Sequence, residues 1–95
     1  MTTRRRLLVL GRSPDIMERV RALLSDLEVV PTFTDDDAKR ALESQTFDAF
    51  LIGGGVEPAS REALVPLARA RGLKVIEHFG GPAGLRRHVD EVLGA

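Results

Sequence analysis

Ninety-five residues carry fourteen basic and fourteen acidic side chains, nine glycines and no cysteine. That length holds one domain, residues 1–95, and buries only about 60–65% of the surface an unfolded chain exposes, while balanced charge gives no field toward nucleic acid or an anionic membrane. Disulfides, thiolate nucleophiles and ordinary zinc sites are excluded for want of cysteine, a membrane span for want of an apolar run near 18 residues, and a signal peptide because "MTTRRR" leads into only four apolar residues before Gly11. The expectation is a soluble cytoplasmic protein.

"RRLLVLG" is a nearly continuous apolar run ending in glycine, the pattern of a strand covered on both faces, and predicts a central strand over Arg5–Leu10. In "RSPDIMERVRALLSDL" Ser13 caps a helix, Pro14 fits its first position and Asp15 and Glu18 suit the positive end of its dipole. Ile16, Val20, Leu23, Leu24 and Leu27 recur at helical spacing and are expected to face inward. Val29, Val30, Thr32 and Phe33 favour extended structure, but Pro31 removes a ladder donor and sends this strand to an edge. A short helix follows, capped by Thr34 or Asp35, with Ala38, Ala41 and Leu42 inside. Its three adjacent aspartates read as helix-start electrostatics rather than as a metal site.

Asp48–Ile52 is the next strand, and it runs into Gly53, Gly54 and Gly55. "EPASREALVPLARARG" places Ala63, Leu64, Leu67 and Ala68 on one side and stops at Gly72, with Pro66 expected to kink the helix or to detach its first turn. Glu57 is read as its cap in preference to a residue lining the strand ends. "LKVIEHFGG" supplies the last strand and "PAGLRRHVDEVLGA" the last helix, with Leu85, Val89, Val92 and Leu93 inward. Strands alternate with helices and no hairpin signal intervenes, so the sheet is parallel with helices on both faces.

Over residues 5 to about 55 the chain resembles the receiver domain of two-component response regulators. "RRLLVLGRSPDIMERVRALL" is similar to that family's first strand and helix, and "TDDDAKRALESQTFDAFLIG" to its second helix and third strand; residues 56–95 match only in outline. The resemblance implies a flavodoxin-like three-layer α/β/α fold, one strand–helix unit short of the usual five, with four parallel strands in the order 2-1-3-4. Receivers hold magnesium with an acidic pair after the first strand, where this chain has Gly11 and Arg12. Their phosphoacceptor aspartate corresponds to Gly53, and the later lysine and hydroxyl residues have no evident counterpart in "EHFGG". A degenerate receiver, unable to accept a phosphoryl group, is therefore expected.

In an open parallel sheet ligands settle outside the carboxyl ends of the strands. Gly11, Gly53, Gly54, Gly55, Gly80 and Gly81 all fall there, with Arg12, Ser13 and His78 beside them. One reading makes this rim a site for a phosphate or carboxylate, with main-chain N–H groups and Arg12 as donors; the other makes the glycines tight turns. No specific phosphate fingerprint occurs. His78 is the one candidate for acid–base chemistry, without a nucleophile or carboxylate partner, and His88 is read as a solvated surface group. No cofactor and no metal are expected.

Losing a strand–helix unit leaves an edge of the fourth strand open, which a homodimer built through that edge, or through the third and last helices, would protect. The leading reading is a binding or regulatory module with a second copy or another protein as partner. A small-ligand or anion binder comes second, and an enzyme using His78 last.

Overall fold

A computed structural model describes residues 4–94; residues 1–3 and residue 95 lie outside it. Four consecutive apolar residues, Leu7 to Leu10, make β1 (Arg6–Leu10), and all four are buried. Then follow α1 (Pro14–Leu23), β2 (Glu28–Thr32), α2 (Asp35–Ser44), β3 (Ala49–Gly53), α3 (Pro58–Ala70), β4 (Lys74–His78) and α4 (Leu85–Leu93). The four strands are parallel in the order β2-β1-β3-β4, as the resemblance implies. Pro31 lies on β2 opposite Val9, at the edge of the sheet where its missing donor costs least.

Strand alternation divides the core in two. Leu7, Val9, Leu51 and Ile76 face α1 and α4, while Leu8, Leu10, Phe50 and Ile52 face α2 and α3. Phe50 and Leu8, on the same side of neighbouring strands, are fully buried. The helix faces depart from the spacing in two places. On α1 Met17 is buried, whereas Ile16 and Leu23 stand 43% and 42% exposed; on α3 Ser60 is buried, whereas Leu67 and Ala63 are exposed. In both cases the helix is rotated so that a polar or flexible residue takes the inner position that a stronger hydrophobe was expected to hold.

The starts of the helices follow the sequence closely. Ser13 Oγ accepts from the Ile16 amide at 3.3 Å, and Thr34 Oγ1 accepts from the Asp37 amide at 3.1 Å. Asp35, Asp36 and Asp37 form the first turn of α2. α3 runs unbroken through Pro66, so the expected separate first turn does not occur. Glu62 and Pro66 are both exposed, which leaves the carbonyl that loses its partner on the solvent side.

At the opposite end from the glycines, β1 is tied into the sheet by side chains. Asp48 precedes β3 by one residue rather than opening it, and its carboxylate accepts from the Arg6 amide at 2.7 Å. On the other side Arg86 of α4 pairs with Asp26 and Asp90, which fastens α4 to the segment after α1. Among the described residues no helix is long and apolar enough to cross a membrane.

Candidate functional site at the carboxyl rim of the sheet

Parallel strands put all four carboxyl ends on one rim, and between β1 and β3 the chain reverses its direction of travel across the sheet. A partly open cleft of about 130 Å³ lies there. Of the nine residues assigned to a ligand site from sequence, seven border it: Gly11, Arg12, Ser13, Gly53, Gly55, His78 and Gly81. Gly54 and Gly80 do not. A Cβ on Gly54 would stand 3.4 Å from the Phe79 Cα, so this glycine allows the β3–α3 and β4–α4 loops to approach one another. Gly80 and Gly81 have φ of 94° and 67°, the left-handed region that a turn here requires of them.

The remaining wall is apolar. Ile16, Met17 and Val20 of α1, Leu51 of β3 and Leu85 of α4 line the cleft, together with Val9 and Leu10. Helix α1 and helix α4 thus stand apart just where the strands end, and the gap between them opens to the rim.

Arg12 is the hub of the other side of the rim. Its Nη2 donates to Asp35 Oδ1 at 2.7 Å, Glu57 Oε2 at 3.0 Å and Ser60 Oγ at 3.1 Å, and its Nη1 donates to the Phe33 carbonyl at 2.8 Å. One guanidinium therefore joins the loop after β1 to the starts of α2 and α3. Hydrogen bonds to Glu57 and then Asp35 raise the Arg12 pKa above its ordinary value. The Asp35 carboxyl is held below the usual range by the Ser60 hydroxyl and then by Arg12, and Glu57 is lowered by Arg12. The positive charge that the sequence reading offered to an anion is thus already matched by two carboxylates. Glu57 occupies the cap position of α3 but makes no capping hydrogen bond, which corrects the capping expectation: its carboxylate turns to Arg12 instead.

Arg61, which sequence reasoning did not single out, performs a parallel task on the β3–β4 side. It donates to the Gly53 carbonyl at 2.6 Å, the Val56 carbonyl at 3.0 Å and Glu77 Oε1 at 2.8 Å, and its guanidinium stacks 4.7 Å from the centroid of the Phe79 ring. An arginine one helical turn inside α3 carries no sequence signal for this role. The carbonyls it satisfies become available only once the glycine loop has folded over.

The two histidines meet. His78 Nδ1 lies 2.9 Å from His88 Nδ1, and His78 Nε2 lies 3.1 Å from the Ala83 carbonyl. A carbonyl only accepts, so a neutral His78 carries its proton on Nε2 and accepts at Nδ1 from His88. This corrects the reading of His88 as a solvated group: it is half-buried on α4 and fastens that helix to the end of β4. Ten residues of separation gave no hint of the pair, because the turn between β4 and α4, with its left-handed Gly80, Gly81 and Gly84, brings the helix against the strand only on folding. With both ring nitrogens of His78 engaged, neither is presented to the cleft as an acid or base.

No family model and no curated protein matches the chain. Solved structures do. A response regulator receiver domain protein (CheY-like) from Methanospirillum hungatei JF-1 is similar with a TM-score of 0.69 at 18% identity, over 98% of this chain and 78% of that one. A de novo designed Rossmann fold protein is similar with a TM-score of 0.61 at 14% identity, over 98% of this chain and all of that one. At these identities the likeness is one of fold: a receiver-like, flavodoxin-like α/β architecture.

Proposed function

We propose that this chain is a receiver-like regulatory or protein-interaction module that works without phosphoryl transfer. The carrying observation is the chemistry at the ends of β1 and β3. Gly11, Arg12 and Gly53 stand where the resemblance places magnesium ligands and a phosphoacceptor, and the Arg12 guanidinium is bonded to Asp35 and Glu57. A carboxylate cluster that binds a divalent cation needs oxygen ligands converging on one point. This rim offers an arginine and main-chain glycine in those places.

The module acts in the cytoplasm as a homodimer, in this reading, with the outer edge of β4 as the contact. β4 is the last strand of the sheet, pairs on one side with β3, and is followed directly by Phe79, the most exposed of the large apolar side chains among the described residues at 64%. An open edge of this kind is covered when two copies join into one continuous sheet. Lys74 and Glu77 on β4 are each drawn to their own chain, to the Val92 carbonyl and to Arg61, and so guard the edge less than their charges suggest. Sedimentation equilibrium from low micromolar to millimolar concentration tests this. The expected result is a reversible monomer–dimer equilibrium, and a strictly monomeric species throughout would contradict it.

The anion-binding alternative has weaker support, since Arg12 is already neutralised and the cleft wall is apolar.

A further inference from the structure

From the cleft between α1 and α4 we infer a binding site for a small, neutral, apolar molecule of about the size of a benzene ring. Three observations lead there. The volume, about 130 Å³, is far above the water-sized gaps that close-packed interiors leave, and an apolar cavity of about 150 Å³ suffices to hold benzene. The wall is hydrocarbon: Met17, Val20, Leu51 and Leu85 surround the space, and Ile16 stands half out of it at 43% exposure. The third is electrostatic. Arg12 is paired with both Asp35 and Glu57, and His78 is bonded to Ala83 and His88, so the neighbouring polar groups have their partners within the protein and leave no unmatched positive charge for an anion to meet. A cleft of this make-up excludes phosphate and carboxylate and favours hydrocarbon.

Its position supports the same inference. Ligands of open parallel sheets enter at the carboxyl rim where strand order reverses, and this cleft opens between the ends of β1 and β3. Gly11 is the gatepost. A side chain there would have its Cβ 3.5 Å from the Met17 methyl carbon, an ordinary contact, and the backbone of Gly11 is not in the left-handed region. Gly11→Val therefore narrows the cleft without straining the chain, and Ile16→Phe narrows it from an exposed position on α1.

The test is methyl-resolved NMR on the full chain with benzene as probe, and inorganic phosphate and acetate as matched controls. Benzene is expected to give saturable shifts confined to the methyl groups of Met17, Val20, Leu51 and Leu85, together with a higher melting temperature. Phosphate and acetate are expected to give neither. Folded Gly11→Val and Ile16→Phe variants should each bind benzene about tenfold more weakly, the loss that overpacking a site brings. Absence of saturable benzene binding overturns the inference, as does unchanged binding in both variants. Stronger binding of phosphate or acetate at these methyls overturns it in favour of an anion site. Shifts of the same methyls with protein concentration alone, abolished by Phe79→Ser, overturn it too, and would assign the cleft to the phenyl ring of a second copy.

Discussion

Replacing Ser60 by alanine removes one hydroxyl from the junction that holds the starts of α2 and α3 together. Ser60 is 5% exposed, and its Oγ donates to Asp35 Oδ2 at 2.6 Å while accepting from Arg12 at 3.1 Å. A hydrogen bond to a charged group contributes about 1.5–3 kcal/mol where both partners are desolvated. The Asp35 side chain is 45% exposed, and solvent screening brings the expected loss down to about 1 kcal/mol. For a domain of this size that is a fall in melting temperature of about 4–8 °C. The loss must also depend on pH. Because Ser60, and then Arg12, hold the Asp35 pKa below its unfolded value, the stabilisation is complete above about pH 4 and fades as pH falls through the folded pKa. Urea denaturation of the wild type and Ser60→Ala, at neutral pH and in acid well below the carboxylate range, measures both quantities. A difference near 1 kcal/mol at neutral pH that shrinks in acid is the predicted outcome. An equal difference at both pH values would refute the account, since it would assign the loss to packing of the serine and not to the carboxylate.

Two further perturbations separate the roles of the rim residues. Gly80→Ala forces a side chain into the left-handed region and is expected to cost about 1–2 kcal/mol, whereas Gly11→Ala, free of that strain, should cost less than half as much; thermal denaturation that ranks them in the reverse order would contradict the assignment of turn and gatepost. His88→Ala removes the partner of His78 Nδ1 and leaves the bond to Ala83 as the one side-chain hydrogen bond that His78 makes to the 79–84 turn. Amide exchange in that turn should accelerate while the strand amides of β1 and β3 keep their protection; uniform acceleration, or none, would count against a local fastening.

The elements of this fold were open to sequence reasoning because each carries its own local physics. Ser13 with Pro14, and Thr34 with three aspartates, mark helix starts through groups that sit next to one another in the chain. Pro31 marks the edge strand by a missing donor. The rotation of α1 was not legible in the same way: a spacing of three and four places Ile16 and Met17 almost equally well, and packing against Leu51 and Leu85 decides between them. Seven of nine site residues came together because glycine at a strand end is a local signal and parallel topology does the rest. What the chain did not disclose are the partners brought by folding: Arg12 with Asp35, Glu57 and Ser60, Arg61 with Gly53 and Phe79, and His78 with His88. Those contacts join residues whose separation in sequence carries no pattern, and they match the arginines of the rim with carboxylates of the same chain.

The proposed absence of phosphoryl chemistry is tested most directly by incubating the protein with acetyl phosphate and magnesium and weighing the intact chain. The account predicts an unchanged mass, for the wild type and equally for Gly53→Asp, because Gly11 and Arg12 still supply no carboxylate for the metal. Stable addition of one phosphoryl group to an aspartate of the wild-type chain would contradict it.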